Sequence, residues 1–286
     1  MIPLCDLKMG LYEKALLSSM SWEERLHTAG KAGYDFCEIS IDETIERMNR
    51  LQWSDKQKYD LQSAIKDSGI PILTMCLSGN RRYTIGSENI EQRENGIKLI
   101  KDAVKFSVDI GIRIVQLAAY DEFYNARNDN TMRLFYEGLA EVTDYAAGHA
   151  VTLAFENMDT DFMNSISKIM NAIKKINSPW LQIYPDVGNL AAAGLTPAQI
   201  EADFLAGSGH ITAIHLKDTN PGIVREVPYG EGLVDFQQFF KTLQKYSYQG
   251  LFVAEMWSND KPESIPYIET AIDYLKGHME AVQNRY

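Results

Sequence analysis

Short apolar runs rich in β-branched and aromatic residues alternate with longer amphipathic stretches along the whole chain. The runs predict strands over Lys8–Tyr12, Phe36–Ile41, Ile72–Cys76, Ile114–Leu117, Thr152–Glu156, Leu181–Tyr184, Ala213–Leu216 and Leu251–Glu255. Helical signals fill the intervals. Ser21 opens a capping box with Glu24 three residues on, and Ile97, Ile100, Val104 and Val108 recur on one face of Asn89–Ile110. Further helices are predicted over Ser54–Ser68, Thr131–Ala147, Ser165–Ile176, Pro197–Ala206, Phe236–Tyr246 and Glu263–Ala281, with Gly33, Gly69, Gly111, Gly148 and Gly250 capping the helix-to-strand returns. Eight βα units of roughly 35 residues match a single (β/α)8 barrel, an α/β fold. No Ser/Gly/Pro-rich linker interrupts the series, so residues 1–286 read as one catalytic domain. A doubly wound open sheet is the rival, but the chain has neither of the Gly-rich phosphate loops that most often mark it.

A barrel of this kind does its chemistry at the C-terminal ends of its strands, where the βα loops share one mouth. The fifth predicted strand ends in Glu156, the sixth leads into Asp186, the seventh carries His215 and the eighth ends in Glu255. Alone, each has an ordinary reading: a carboxylate as salt-bridge partner or cap, an imidazole as a hydrogen-bonded core residue. His27, His149 and His278 take that reading, and His210 stands near the start of its strand. The shared address of the other four points instead to a mononuclear site for a divalent ion such as Mn²⁺, Zn²⁺, Mg²⁺ or Co²⁺. Without the ion, three such carboxylates would repel one another and take up protons.

Composition narrows the function. Hydrophobic residues at 45% and charged residues at 23% describe a soluble globular chain, and a formal charge of −11 disfavours nucleic acid and anionic membrane as partners. No apolar run reaches the ~18–20 residues of a membrane span. Asp6 and Lys8 interrupt the start of the chain where a secretory leader needs an apolar stretch, so a cytoplasmic location is expected. Cys5, Cys37 and Cys76 are widely spaced and odd in number, which reads as reduced thiols.

Across nearly the whole length, YEKAL (Tyr12–Leu16), AGYDFCEISIDET (ending at Thr44), RRYTIGSE (Arg81–Glu88), GIRIVQLAAYD (Gly111–Asp121), MNSISK (Met163–Lys168), YPDVGNL (Tyr184–Leu190), HLKDT (His215–Thr219), VPYGEGLVDF (Val227–Phe236) and AEMW (Ala254–Trp257) closely resemble the bacterial L-ribulose-5-phosphate (L-xylulose-5-phosphate) 3-epimerases, members of the xylose-isomerase-like barrels. The resemblance implies a metal-dependent isomerase, often dimeric, acting on a small phosphorylated ketopentose in L-ascorbate or L-xylulose breakdown. It also implies that Glu156, Asp186, His215 and Glu255 are the metal ligands, with Glu156 and Glu255 doubling as the acid/base pair. Asn189 stands where free-sugar 3-epimerases carry a substrate-binding His, as in the phosphate-sugar branch. Arg225, ahead of the VPYGEG loop, resembles a residue that reaches the substrate, and Asn80 replaces a family His within Ser78–Arg82.

The expected chemistry removes the C3 proton next to the C2 carbonyl and returns a proton to the opposite face, through an enediolate held by the ion. The phosphate needs positive charge, for which Lys217, Arg225, Arg81 and Arg82 are the candidates. A hexulose-phosphate or aldose–ketose isomerase on the same metal barrel is the nearest alternative. An abasic-site endonuclease fits poorly with five His and −11, and a sugar-phosphate sensor fits poorly with two retained glutamates.

Overall fold

A computed structural model describes residues 2–283, so Met1 and residues 284–286 of the expected domain lie outside the described residues. The strands are β1 (Met9–Tyr12), β2 (Phe36–Ser40), β3 (Ile72–Leu77), β4 (Ile114–Ala118), β5 (Thr152–Glu156), β6 (Leu181–Ile183), β7 (Ala213–Leu216), β8 (Asp218–Asn220), β9 (Ile223–Val227) and β10 (Leu251–Ala254). The helices are α1 (Trp22–Lys31), α2 (Ile45–Met48), α3 (Asp55–Ser68), α4 (Ile90–Ile110), α5 (Asp129–Gly148), α6 (Ile166–Ile176), α7 (Val187–Ala192), α8 (Pro197–Ala206), α9 (Phe236–Lys245) and α10 (Ser264–Gln283).

Eight strands form one sheet in the order β6-β5-β4-β3-β2-β1-β10-β7. An isolated parallel bridge between Asp186, just past β6, and His215 of β7 links its two ends, giving the nearly closed (β/α)8 barrel that the alternation predicts. Contacts group the chain into two compact units. In the first (Met1–Glu38, Ala64–Pro71, Pro185–Tyr286), β1, β10 and β7 pair in parallel, and Phe240 of α9 meets Phe252 of β10 edge-on at 5.9 Å. In the second (Ile39–Ser63, Ile72–Tyr184), β3 to β6 pair in parallel, with Ile100 and Val104 of α4, Leu139 and Val142 of α5 and Ile169 of α6 buried. Burying one such side chain contributes about 1.5–3 kcal/mol, so packed faces rather than intrinsic propensity hold these helices in place.

Local sequence sets the helix ends. Ser21 and Glu24 form the expected capping box, with bonds of 2.7 and 3.2 Å. Asn89 and Ser165, read as first helical residues, are N-caps. The buried face of α4 runs through Gly96, Ile100, Ala103 and Val104, so Val108 ends up 38% exposed. Gly33, Gly69 and Gly111 adopt the left-handed φ their returns require. At the other two returns that conformation falls to Ala150 and Ser247. Gly250 is needed for a different reason: a Cβ there would lie 2.6 Å from the Thr212 carbonyl oxygen.

Two features after β6 and β7 were not legible as regular structure. Asp186 begins the short helix α7, and β8 and β9 form an antiparallel hairpin turning at Gly222. The hairpin is short and, along β9, largely exposed, so it carries no alternating hydrophobic signal. Among the described residues, no helix is long and apolar enough to cross a membrane.

Candidate active site and metal centre

Strand ends deliver the four residues singled out above. Glu156 is the last residue of β5 and accepts a hydrogen bond from Gln116 Nε2 of β4. Asp186 caps α7, its Oδ1 accepting from the Asn189 N–H at 2.8 Å. His215 lies within β7, and Glu255 directly follows β10. One ligand atom from each of these buried residues lies within 4.8 Å of the others.

Charge is balanced inside this cluster by Lys217. Its Nζ stands 2.8 Å from Asp186 Oδ2 and 3.0 Å from Glu255 Oε2, so a side chain read as a phosphate candidate lies against two carboxylates. Burial pushes the Glu255 carboxyl upward, but the Lys217 ammonium beside it opposes this and the group is held at about 2. His215 is oriented by a residue that the sequence reading missed. Its Nε2 is 2.7 Å from Glu38 Oε1 of β2, while Nδ1 is 3.9 Å from Glu255 Oε2. An ionised carboxylate only accepts, so Nε2 carries the proton and the Nδ1 lone pair faces the cluster. Three carboxylates and one neutral imidazole nitrogen form a donor set suited to Mn²⁺, Mg²⁺, Co²⁺ or Zn²⁺. The ammonium already drawn between two of them expresses the same demand for positive charge.

The remaining candidates are more dispersed. Asn189 is half-buried in α7 and contributes its N–H to the Asp186 cap. Arg225 is exposed on β9, its guanidinium 5.4 Å from the Trp257 ring centre. Arg81 pairs with Glu43 at 3.3 Å and lies 5.5 Å from the Phe123 ring centre; Arg82 is exposed and donates to the Glu43 carbonyl. Asn80 bonds both its Nδ2 and Oδ1 to the backbone of Ala118, fastening the turn after β3 to β4.

In the first unit a cavity of about 260 Å³ borders Lys217, Glu255, Tyr229 and Trp257. Its wall depends on Asp218. That buried carboxylate accepts from the N–H groups of Thr219, Gly230, Gly232 and Val234 at 2.9–3.1 Å, and so holds the VPYGEG loop. A Cβ at Gly232 would run into Asp218 Oδ1 and lie 2.5 Å from the Thr219 carbonyl. Gly232→Ala is therefore expected to cost about 1–3 kcal/mol through displaced backbone. Urea unfolding checks this, and an unchanged midpoint would show that the loop is not clamped as described.

The model of the xylose isomerase-like TIM barrel family matches residues 26–278. The chain is 43% identical to L-ribulose-5-phosphate 3-epimerase UlaE of Escherichia coli (strain SMS-3-5 / SECEC), over 96% of this chain and 95% of that protein. It is 44% identical, with the same coverage, to the protein of that name from Salmonella paratyphi A. A solved structure of L-ribulose 3-epimerase superposes with a TM-score of 0.79 at 16% identity, covering 98% of this chain and 96% of that one, a likeness of fold.

Proposed function

Because the chain belongs to the L-ribulose-5-phosphate 3-epimerase family of xylose isomerase-like TIM barrels, we propose that it interconverts L-xylulose 5-phosphate and L-ribulose 5-phosphate. In this reading residues 1–286 act as one catalytic domain of a cytoplasmic homodimer, in the breakdown of L-ascorbate or L-xylulose. The observation that carries it is the meeting of Glu156, Asp186, His215 and Glu255 within 4.8 Å of one another.

These four residues would hold one divalent ion, which supplies Lewis-acid stabilisation of negative charge developing on the sugar's oxygens. The chain's own work is proton transfer. One glutamate, as carboxylate, takes the C3 proton on an Oε atom, and the other, as carboxylic acid, returns a proton to the opposite face. Exchanging these roles runs the reaction in the other direction. Lys217, held against Asp186 and Glu255, offsets negative charge on that side of the cluster. Asn189, Arg225, Arg81 and Arg82 are the residues proposed to meet the substrate, the arginines toward its phosphate, whereas Lys217, a phosphate candidate from sequence alone, faces Asp186 and Glu255 instead.

The test is substrate carrying deuterium at C3. Turnover in ordinary water is expected to give the inverted ketose with protium at C3 and no aldose. Inverted product that keeps its deuterium would refute the two-glutamate mechanism, and an aldose product would identify an aldose–ketose isomerase instead.

A further inference from the structure

Glu38 lies inside β2, within the run FCEIS, where every residue is buried and the carboxylate has no exposure. Burying an ionised carboxylate costs several kcal/mol unless it is matched by hydrogen bonds or charge, so its presence there needs a reason. The reason lies across the barrel interior. β1 and β2 pair with Tyr12 opposite Glu38, and this register brings Glu38 Oε1 to 2.7 Å from His215 Nε2, while the Tyr12 ring lies tilted beside the imidazole at 6.3 Å.

An imidazole can turn about its terminal torsion and can carry its proton on either nitrogen. A half-turn would put a carbon where Nδ1 now lies, and the other tautomer would put a hydrogen there. Glu38 opposes both, because accepting from Nε2–H fixes the proton and the ring plane together. It also makes Nδ1 more basic, as a carboxylate behind a ligating imidazole does.

We propose that Glu38 is a positioning residue of the metal centre: it presents the His215 Nδ1 lone pair to the divalent ion without touching ion or substrate. This rests on the metal-dependent reading above. It predicts that the mark of losing Glu38 is weaker ion binding, with turnover recovered at saturating metal.

The experiment is calorimetric titration of Mn²⁺ alone into the metal-free protein, for wild type, Glu38→Gln and Glu38→Met. Gln keeps an acceptor but loses the charge; Met keeps the bulk and loses both. Affinity is expected to fall at least threefold in Gln and about 10–100-fold in Met. At saturating Mn²⁺, kcat is expected to return to within a few-fold of wild type with KM for the sugar phosphate unchanged. Wild-type Mn²⁺ affinity in both variants overturns the proposal even if their melting temperatures fall, since the role would then be structural only. If Glu38→Met does not fold, Glu38→Gln decides: a threefold or greater loss supports the proposal and a smaller one overturns it. Failure of wild type itself to bind Mn²⁺ would overturn the metal reading along with it, which separates the two failures.

Discussion

Glu156→Gln and Glu255→Gln are each expected to lower turnover about 10³-fold at saturating Mn²⁺, because each removes a proton carrier as well as one charge of the donor set. The two losses differ in kind. With one glutamate left, the epimer whose C3–H faces it can still exchange that hydrogen with solvent, although inversion stalls. Each variant should therefore wash deuterium out of one epimer only, and the two variants should choose opposite epimers. Steady-state turnover and mass spectrometry of recovered substrate measure both. Turnover within tenfold of wild type in either variant would remove that residue from the acid/base pair.

Replacing Lys217 by Met is expected to destabilise the metal-free protein by about 3–5 kcal/mol, since it leaves Asp186 and Glu255 buried side by side without the cation. The melting temperature should fall by roughly 10 °C. The pH dependence follows from Glu255, whose folded carboxyl is held at about 2, below its ordinary value of 4.5. A depressed carboxylate contributes stability above its unfolded value and loses it as pH falls through the folded one. Wild-type protein in chelator should therefore lose stability as pH falls from ~4.5 toward ~2. In Lys217→Met the carboxyl is no longer held down, and this part of the acid slope should flatten. Urea midpoints across that range, with EDTA, make the comparison; superimposable pH profiles would show that Lys217 is not the counter-charge.

The sequence carried the scaffold and the rim residues because both have a periodic signal. Alternation gave the strands, and a polar residue ending an apolar run gave Glu156 and Glu255. Glu38 had a weaker signal of a different type, a carboxylate in the middle of a buried strand, and its meaning depends on a partner 177 positions away. Lys217 illustrates the same limit. A cation beside a rim histidine could face outward to phosphate or inward to carboxylates, and only the fold fixes that its ammonium lies between Asp186 and Glu255. The helix α7 escaped because six residues are too few to show a period, and Asp186 was read as a ligand without its second task of capping that helix.

The segment HLKD alternates between two tasks: His215 and Lys217 face the acidic cluster, and Asp218 grips the backbone of the VPYGEG loop. Side chains along extended chain change face at every step, so inserting or deleting one residue here would trade His215 for a neighbouring leucine or isoleucine and unfasten the loop in the same stroke. The turn at Gly222, two residues beyond the hairpin's first strand, bears no such burden. Indels accumulated by drift or introduced by grafting should therefore be tolerated at 221–222, between the two strands, and purged from 213–218, giving the barrel a rigid spelling beside a stretch that can be rewritten.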